Sequence, residues 1–177
     1  NPLARNERRV MATIDWYFDV ISPFAYLQCE QLKTIGVGHQ IVAHPVLFAG
    51  LLNHWEHKGP AEIPAKRQFT YRYVTWYARR YGFPLRMPHA HPFNPIPALR
   101  LAVALGGDLD AIRAIFRYIW VDGLLPSDEP EWLALCQSLG VNSPATTLGT
   151  PEVKARLRTN TDAACDAGVF GVPTAVV

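Results

Sequence analysis

The sequence predicts an α/β fold: a small parallel sheet started by a βαβ unit, interrupted by a large all-helical insertion and resumed near the end. Three observations predict it. An apolar run, Thr13 to Val20, gives way at Ser22-Pro23 to helical periodicity and is followed by a second strand-like run. From about 48 to 143 the pattern is one of helices and proline-rich loops. After that a capped helix leads once more into a strand.

Each element has its own warrant. Thr13 to Val20 is rich in β-branched and aromatic residues, as a buried strand requires. Ser22 is a good N-cap and Pro23 a good first helical residue, since a cap side chain satisfies a free N–H and proline has none to satisfy. Ala25, Cys29 and Leu32 keep helical spacing, and Gly36 closes the helix. Gln40 to Leu47 reads as the second strand, parallel to the first because a helix connects them. Ala65 to Tyr81 is a long helix with Phe69, Tyr73, Trp76 and Tyr77 on one face. The spacing predicts those aromatics inward and Arg67, Arg72, Arg79 and Arg80 outward. Further helices are expected over Pro95 to Leu105, over Asp108 to Val121 with Asp108 as cap, and over Glu131 to Leu139. Thr150-Pro151 opens another by the logic of Ser22-Pro23, ending at Gly168. Gly-Val-Pro-Thr then enters a strand at Ala175 to Val177.

This organisation predicts one domain from residues 11–47 and 144–177, with 48–143 as an inserted helical domain. Residues 1–10 are polar and basic and read as a tag or disordered extension, with no apolar signal-peptide core. The chain stops inside its last strand, so a C-terminal strand and helix are expected beyond Val177.

Composition narrows the function. Seventeen Lys and Arg against fifteen Asp and Glu leave a net charge of only +2, which argues against a nucleic-acid or membrane-surface partner. No apolar run reaches the roughly 18 residues that span a bilayer. Cys29, Cys136 and Cys165 are far apart, without CxxC or metal-ligand spacing, and read as buried thiols of a reducing, cytoplasmic compartment.

The Ser22-Pro-Phe-Ala25 turn is the most informative segment. With cysteine at positions 22 and 25 it would read Cys-Pro-Phe-Cys, the redox turn of a thioredoxin-like protein. A helix N-terminus favours a bound anion, and a thiolate is one. Ser22 therefore reads either as an N-cap alone or as a group that hydrogen-bonds a thiolate brought by a ligand. Val172-Pro173, between glycine and a strand, has the character of a loop facing such a turn. A cis proline there would expose the Val172 backbone to an extended peptide.

Asp19-Val-Ile-Ser-Pro-Phe-Ala-Tyr-Leu27, Pro60-Ala-Glu-Ile-Pro-Ala-Lys66 and Gly168-Val-Phe-Gly-Val-Pro-Thr174 together resemble the 2-hydroxychromene-2-carboxylate isomerases. These stand with the kappa-class glutathione transferases in the DsbA-like thioredoxin superfamily. The resemblance covers residues 12–177. It implies glutathione as cofactor, a small aromatic substrate and a homodimer. Ser22 would activate the glutathione sulfur, with Phe24, Asn53, Val172 and Pro173 as further cofactor contacts. The loop Gly50 to Gly59 departs from the family pattern: alignment puts Asn53 where relatives carry lysine and His57 where they carry asparagine. His54, Trp55 and His57 are candidate substrate contacts, as are Phe93 and Asn94 in Pro92-Phe-Asn-Pro95.

The implied reaction is addition of the glutathione thiolate to a conjugated carbon of an unsaturated keto acid, rotation about the resulting single bond, and expulsion. Alternatives are a kappa-like glutathione transferase and, more distantly, a redox-inactive DsbA-like protein that binds thiols. The histidines at 54 and 57 and at 89 and 91 lack a third ligand in sequence, so no metal is expected.

Overall fold

The computed structural model describes residues 11–177, so the extension expected over 1–10 lies outside the described residues. β1 (Thr13–Phe18) is the central strand of a three-stranded sheet. It pairs in parallel with β2 (Gln40–Pro45), Thr13 opposite Gln40 and Phe18 opposite Pro45. It pairs antiparallel with β3 (Thr174–Val176), Asp15 opposite Val176. Between β1 and β2 runs α1 (Pro23–Ile35), which completes the expected βαβ unit.

Strand alternation divides the core in two. Trp16 and Phe18 point to one face, stack on each other and meet Phe116 of α5 (Leu109–Trp120). That larger core also takes Tyr26 and Leu27 from α1, and Leu99 and Leu101 from α4 (Ile96–Ala104). Tyr17 points to the other face. There it joins Val46, Leu51 of α2 (Phe48–His54) and Ala164 of α8 (Pro151–Asp166) in a smaller cluster. Both faces of the second half of β1 are covered, which is why Trp16, Tyr17 and Phe18 are consecutively apolar.

The remaining helices are α3 (Pro64–Tyr81), α6 (Glu129–Ser138) and α7 (Pro144–Gly149). Three caps behave as their residue types require. Ser22 Oγ accepts from the Ala25 N–H at 3.3 Å, Asp108 Oδ1 from Ala111 at 2.8 Å, and Thr150 Oγ1 from Val153 at 3.4 Å.

The sheet is mixed rather than parallel, because β3 runs antiparallel to β1, and α7 forms where no helix was expected. Two further features differ from the expectation. The segment after β2, read as a loop, begins with α2. Leu47 precedes that helix and has no capping atom; Asp19 supplies one from outside, its Oδ2 accepting the Phe48 N–H at 2.8 Å. The second difference is the rotation of α3. Phe69, Tyr73 and Trp76 are 67, 39 and 55% exposed, while Val74 and Ala78 are buried. The inward stripe runs through Tyr71, Val74 and Ala78 at spacings of three and four, with Tyr77 partly buried against the core as expected; the arginines, Arg67 included, stay exposed. Small apolar residues let the helix approach the core closely, and bulky rings at 69, 73 and 76 cannot. The rotation brings Arg67 and Tyr71 to the cleft described next.

Candidate active site

The cleft lies where β1 hands the chain to α1, between the sheet and the helical layer. Asp19 follows β1 and is fully buried. One carboxylate oxygen accepts the Ile21 N–H at 3.0 Å and the other the Phe48 N–H, so one side chain shapes the turn and starts α2. Burial pushes its pKa up to about 7, although the two backbone donors pull the other way.

Ser22 sits just past that turn with its side chain in two hydrogen bonds. Oγ accepts from Ala25 N and donates to the carbonyl of Val172 at 3.2 Å. Residues 150 positions apart are thereby apposed, and the Val172–Pro173 bond is cis. The first turn of α1 and the loop before β3 form opposite walls, the placement expected from their motifs. The Val172 carbonyl is engaged by Ser22 rather than free.

Around them opens a cavity of about 340 Å³. Phe24, Phe48, Leu52 and Phe93 give it apolar walls, and Arg67, Tyr71 and His91 stand along the side contributed by α3 and the loop before α4. No cysteine lines it. Burial pushes the Cys29 thiol up to about 12 and that of Cys136 to about 11, so neither supplies a thiolate at neutral pH.

Of the residues singled out in sequence, Ser22, Phe24, Phe93 and Val172 line this cavity; Pro173 follows Val172 directly without lining it. Asn53, His54, Trp55 and His57 are exposed at and beyond the end of α2 and do not line it. Trp55 Nε1 donates to the Val169 carbonyl at 2.9 Å, and His54 meets the Trp55 ring edge-on. Asn94 Oδ1 accepts the Ile96 N–H at 3.1 Å, just ahead of α4.

Sequence reasoning missed Asp19, Arg67, Tyr71 and His91 as cleft residues. The i, i+4 spacing of Arg67 and Tyr71 was the available signal for a shared helix face. His91 drew notice only as half of a histidine pair. That pair is divided: His89 faces Asp128 at 3.2 Å, whereas His91 turns inward. Its Nδ1 lies 2.6 Å from Tyr71 Oη and its Nε2 2.8 Å from the Ile21 carbonyl.

The match that decides the family spans this whole architecture. The profile of a DSBA-like thioredoxin domain covers residues 13–177. The chain belongs to that family. Among curated proteins, the DsbA-like chain is 27% identical to "Glutathione s-transferase kappa 2" of Caenorhabditis elegans, over 90% of its own length and 78% of the relative's. It is also 27% identical to a 2-hydroxychromene-2-carboxylate isomerase of Pseudomonas putida, over 91% of itself and 83% of that protein. Among solved structures, a 2-hydroxychromene-2-carboxylate isomerase superposes with a TM-score of 0.80 at 22% identity, covering 93% of this chain and 85% of the other. At that identity the superposition establishes the fold. No helix among the described residues is long and apolar enough to cross a membrane.

Proposed function

We propose that the protein is a glutathione-dependent isomerase of 2-hydroxychromene-2-carboxylate-type substrates, with Ser22 as the residue that stabilises the cofactor thiolate. The observation that carries this reading is the cysteine-free cleft between Ser22 and Val172. A DsbA-like turn has kept its helix N-terminus and its facing proline loop, while Ser22 and Ala25 stand where a redox protein needs two thiols.

The residues present fit such a cofactor. The Ser22 hydroxyl already donates into the cleft, toward Val172, and rotation about one torsion redirects it to a sulfur anion. The first-turn N–H groups of α1 add their positive end. Together they favour the charged form of a thiol held there. Val172 offers backbone to the peptide part from the wall opposite Ser22, and Phe24 and Phe93 offer apolar surface to an aromatic substrate. No step is assigned to Asn53, His54, Trp55, His57 or Asn94. When bound, glutathione supplies a nucleophile that adds reversibly to a conjugated carbon and so frees a double bond to rotate.

Ser22→Ala separates binding from chemistry. Turnover of the chromene carboxylate is expected to fall at least 100-fold, while glutathione affinity measured by calorimetry stays within about threefold. Unchanged turnover would remove Ser22 from the mechanism. A kappa-like transferase is the second reading, favoured by the kappa-named relative. Product analysis with the chromene carboxylate and with an aryl halide separates them: accumulation of a glutathione conjugate in place of the isomer selects the transferase.

A further inference from the structure

The Tyr71–His91 pair has a proton arrangement that its partners dictate. The Ile21 carbonyl can only accept, so the His91 Nε2 facing it at 2.8 Å carries a hydrogen. In the neutral ring Nδ1 is then an acceptor, and the Tyr71 hydroxyl at 2.6 Å donates to it in preference to the His91 carbonyl, which lies farther off at 3.3 Å. The ring stays neutral for a physical reason. Burial holds its pKa below the ordinary histidine range, and the Arg67 cation adds to this, outweighing the opposing pull of the Ile21 carbonyl. Burial likewise raises the Tyr71 phenol, with Arg67 opposing. Tyr71 and Arg67 come from α3, Asp19 from the end of β1 and Glu62 from the turn at Pro60–Glu62; these are the other titratable and charged groups lining the cavity with His91. The imidazole also packs against the uncharged rings of Phe93 and Trp120.

With its hydrogen committed to His91, Tyr71 Oη can take a hydrogen bond from something in the cleft. That is the geometry of a relay: a hydroxyl gives its proton to Tyr71 as Tyr71 gives its own to Nδ1. The imidazolium so formed keeps its Nε2–H on the Ile21 carbonyl.

We propose that Tyr71 is a catalytic acid–base group for a cyclic hemiketal substrate, with His91 as the positioning residue that receives and returns the proton. The inference rests on the isomerase reading above and deepens it. A 2-hydroxychromene-2-carboxylate carries a hydroxyl and the ring oxygen on one carbon, and no double bond beside that carbon can rotate while the ring is closed. Opening breaks the hydroxyl O–H and the bond from that carbon to the ring oxygen, and forms a ketone C=O. The proton passes through Tyr71 to His91, and the bonding pair leaves with the ring oxygen as phenolate. Return of the proton through Tyr71 to the phenolate leaves an open isomer and the pair unchanged. Nothing is oxidised or reduced. Arg67 lines the same cavity, and among the described residues no carboxylate stands within ion-pair distance of it, so its charge is available to an anionic substrate.

The test compares two substrates in the full chain with glutathione: the cyclic hemiketal, and an open benzylidene pyruvate that lacks the ortho hydroxyl and cannot close. Tyr71→Phe is expected to slow the first about 100-fold, the lower range of general acid–base effects, and to leave the second within about twofold. His91→Gln still donates to Ile21 but stores no proton. It should match Tyr71→Phe in rate and lose the acidic limb of the wild-type pH profile. Nitrogen-15 spectra of histidine at pH 7 should show His91 neutral with hydrogen on Nε2, and calorimetry should show glutathione affinity unchanged in both variants. Equal slowing of both substrates, slowing of neither, or hydrogen on Nδ1 would overturn the relay while the isomerase stands. Absence of glutathione-dependent turnover in the unmutated protein would overturn both.

Discussion

Ser22 already holds two hydrogen bonds in the protein alone, one closing the first turn of α1 and one crossing to Val172. Its removal therefore has a structural cost of about 1 kcal/mol, that of a lost N-cap, and this is small enough to leave the fold intact for the turnover measurement. Asp19 is the more consequential neighbour for stability. The folded carboxyl keeps its proton up to about pH 7, whereas its ordinary value is 3.8. Between those values the folded state binds more protons than the unfolded, so this group's contribution to stability falls as pH rises and is level above. Asp19→Asn should flatten that part of the profile. Denaturant melts from pH 4 to 8 are expected to show wild type losing up to about 1.4 kcal/mol per pH unit relative to the variant across the window. A constant difference between the two would show that Asp19 does not titrate there. At this scale the sequence made Ser22 and Val172 legible because each sits in a short motif with a local backbone reason. Asp19, Tyr71 and His91 act through partners 29, 20 and 70 positions away, which no local pattern carries.

Among the elements, α1 has to be held rigid if the Ser22 turn is to keep its place. Its outer side is fixed to α5 by Glu30, whose side chain is 5% exposed. Arg113 donates to both carboxylate oxygens at 3.0 Å and Arg117 to one at 3.2 Å. Burial pushes the Glu30 pKa up, but the hydrogen bonds and charges of the two arginines outweigh it and the net shift is downward. The stabilisation is therefore complete above the ordinary glutamate range and is lost as pH falls through the lowered value. Glu30→Gln should cost roughly 2–3 kcal/mol at pH 7 by chemical denaturation, below the full loss for a buried pair because Arg113 and Arg117 stay partly solvated. The penalty should shrink toward pH 3. Helices with their own caps and periodicity, α1, α5 and α8, were readable in sequence to within a residue or two. α2 was not, because its cap comes from Asp19 on another element. The rotation of α3 was hidden for a related reason: an amphipathic pattern with two candidate stripes is decided by what the opposing surface admits.

For the molecule as a whole, the question is how the helical layer fixes a cleft that the sheet begins. Trp120, at the end of α5 and fully buried, makes that connection. Its indole Nε1 donates to the Val20 carbonyl at 2.9 Å, inside the turn between β1 and α1. Its ring meets His91 at 5.6 Å and Phe93 at 6.4 Å between centroids, on the loop that forms the far side of the cavity. Together with the hydrogen bond from His91 to the Ile21 carbonyl, this side chain sets the distance between the Ser22 wall and the His91 wall. Trp120→Phe removes the donor, strands a buried carbonyl and leaves unfilled space beside His91. The expected loss is about 2–4 kcal/mol of stability, part from the unpaired acceptor and part from the cavity. Rigid burial of this kind transmits displacement, because a close-packed interior cannot absorb it locally. Turnover should therefore fall in Trp120→Phe even at temperatures where circular dichroism shows it fully folded. The comparison is with a variant of similar stability loss placed away from the cleft, Cys136→Ala in α6. Equal turnover in the two would show that Trp120 matters only for folding; a deficit confined to Trp120→Phe would show that the spacing of the two walls is itself a catalytic requirement.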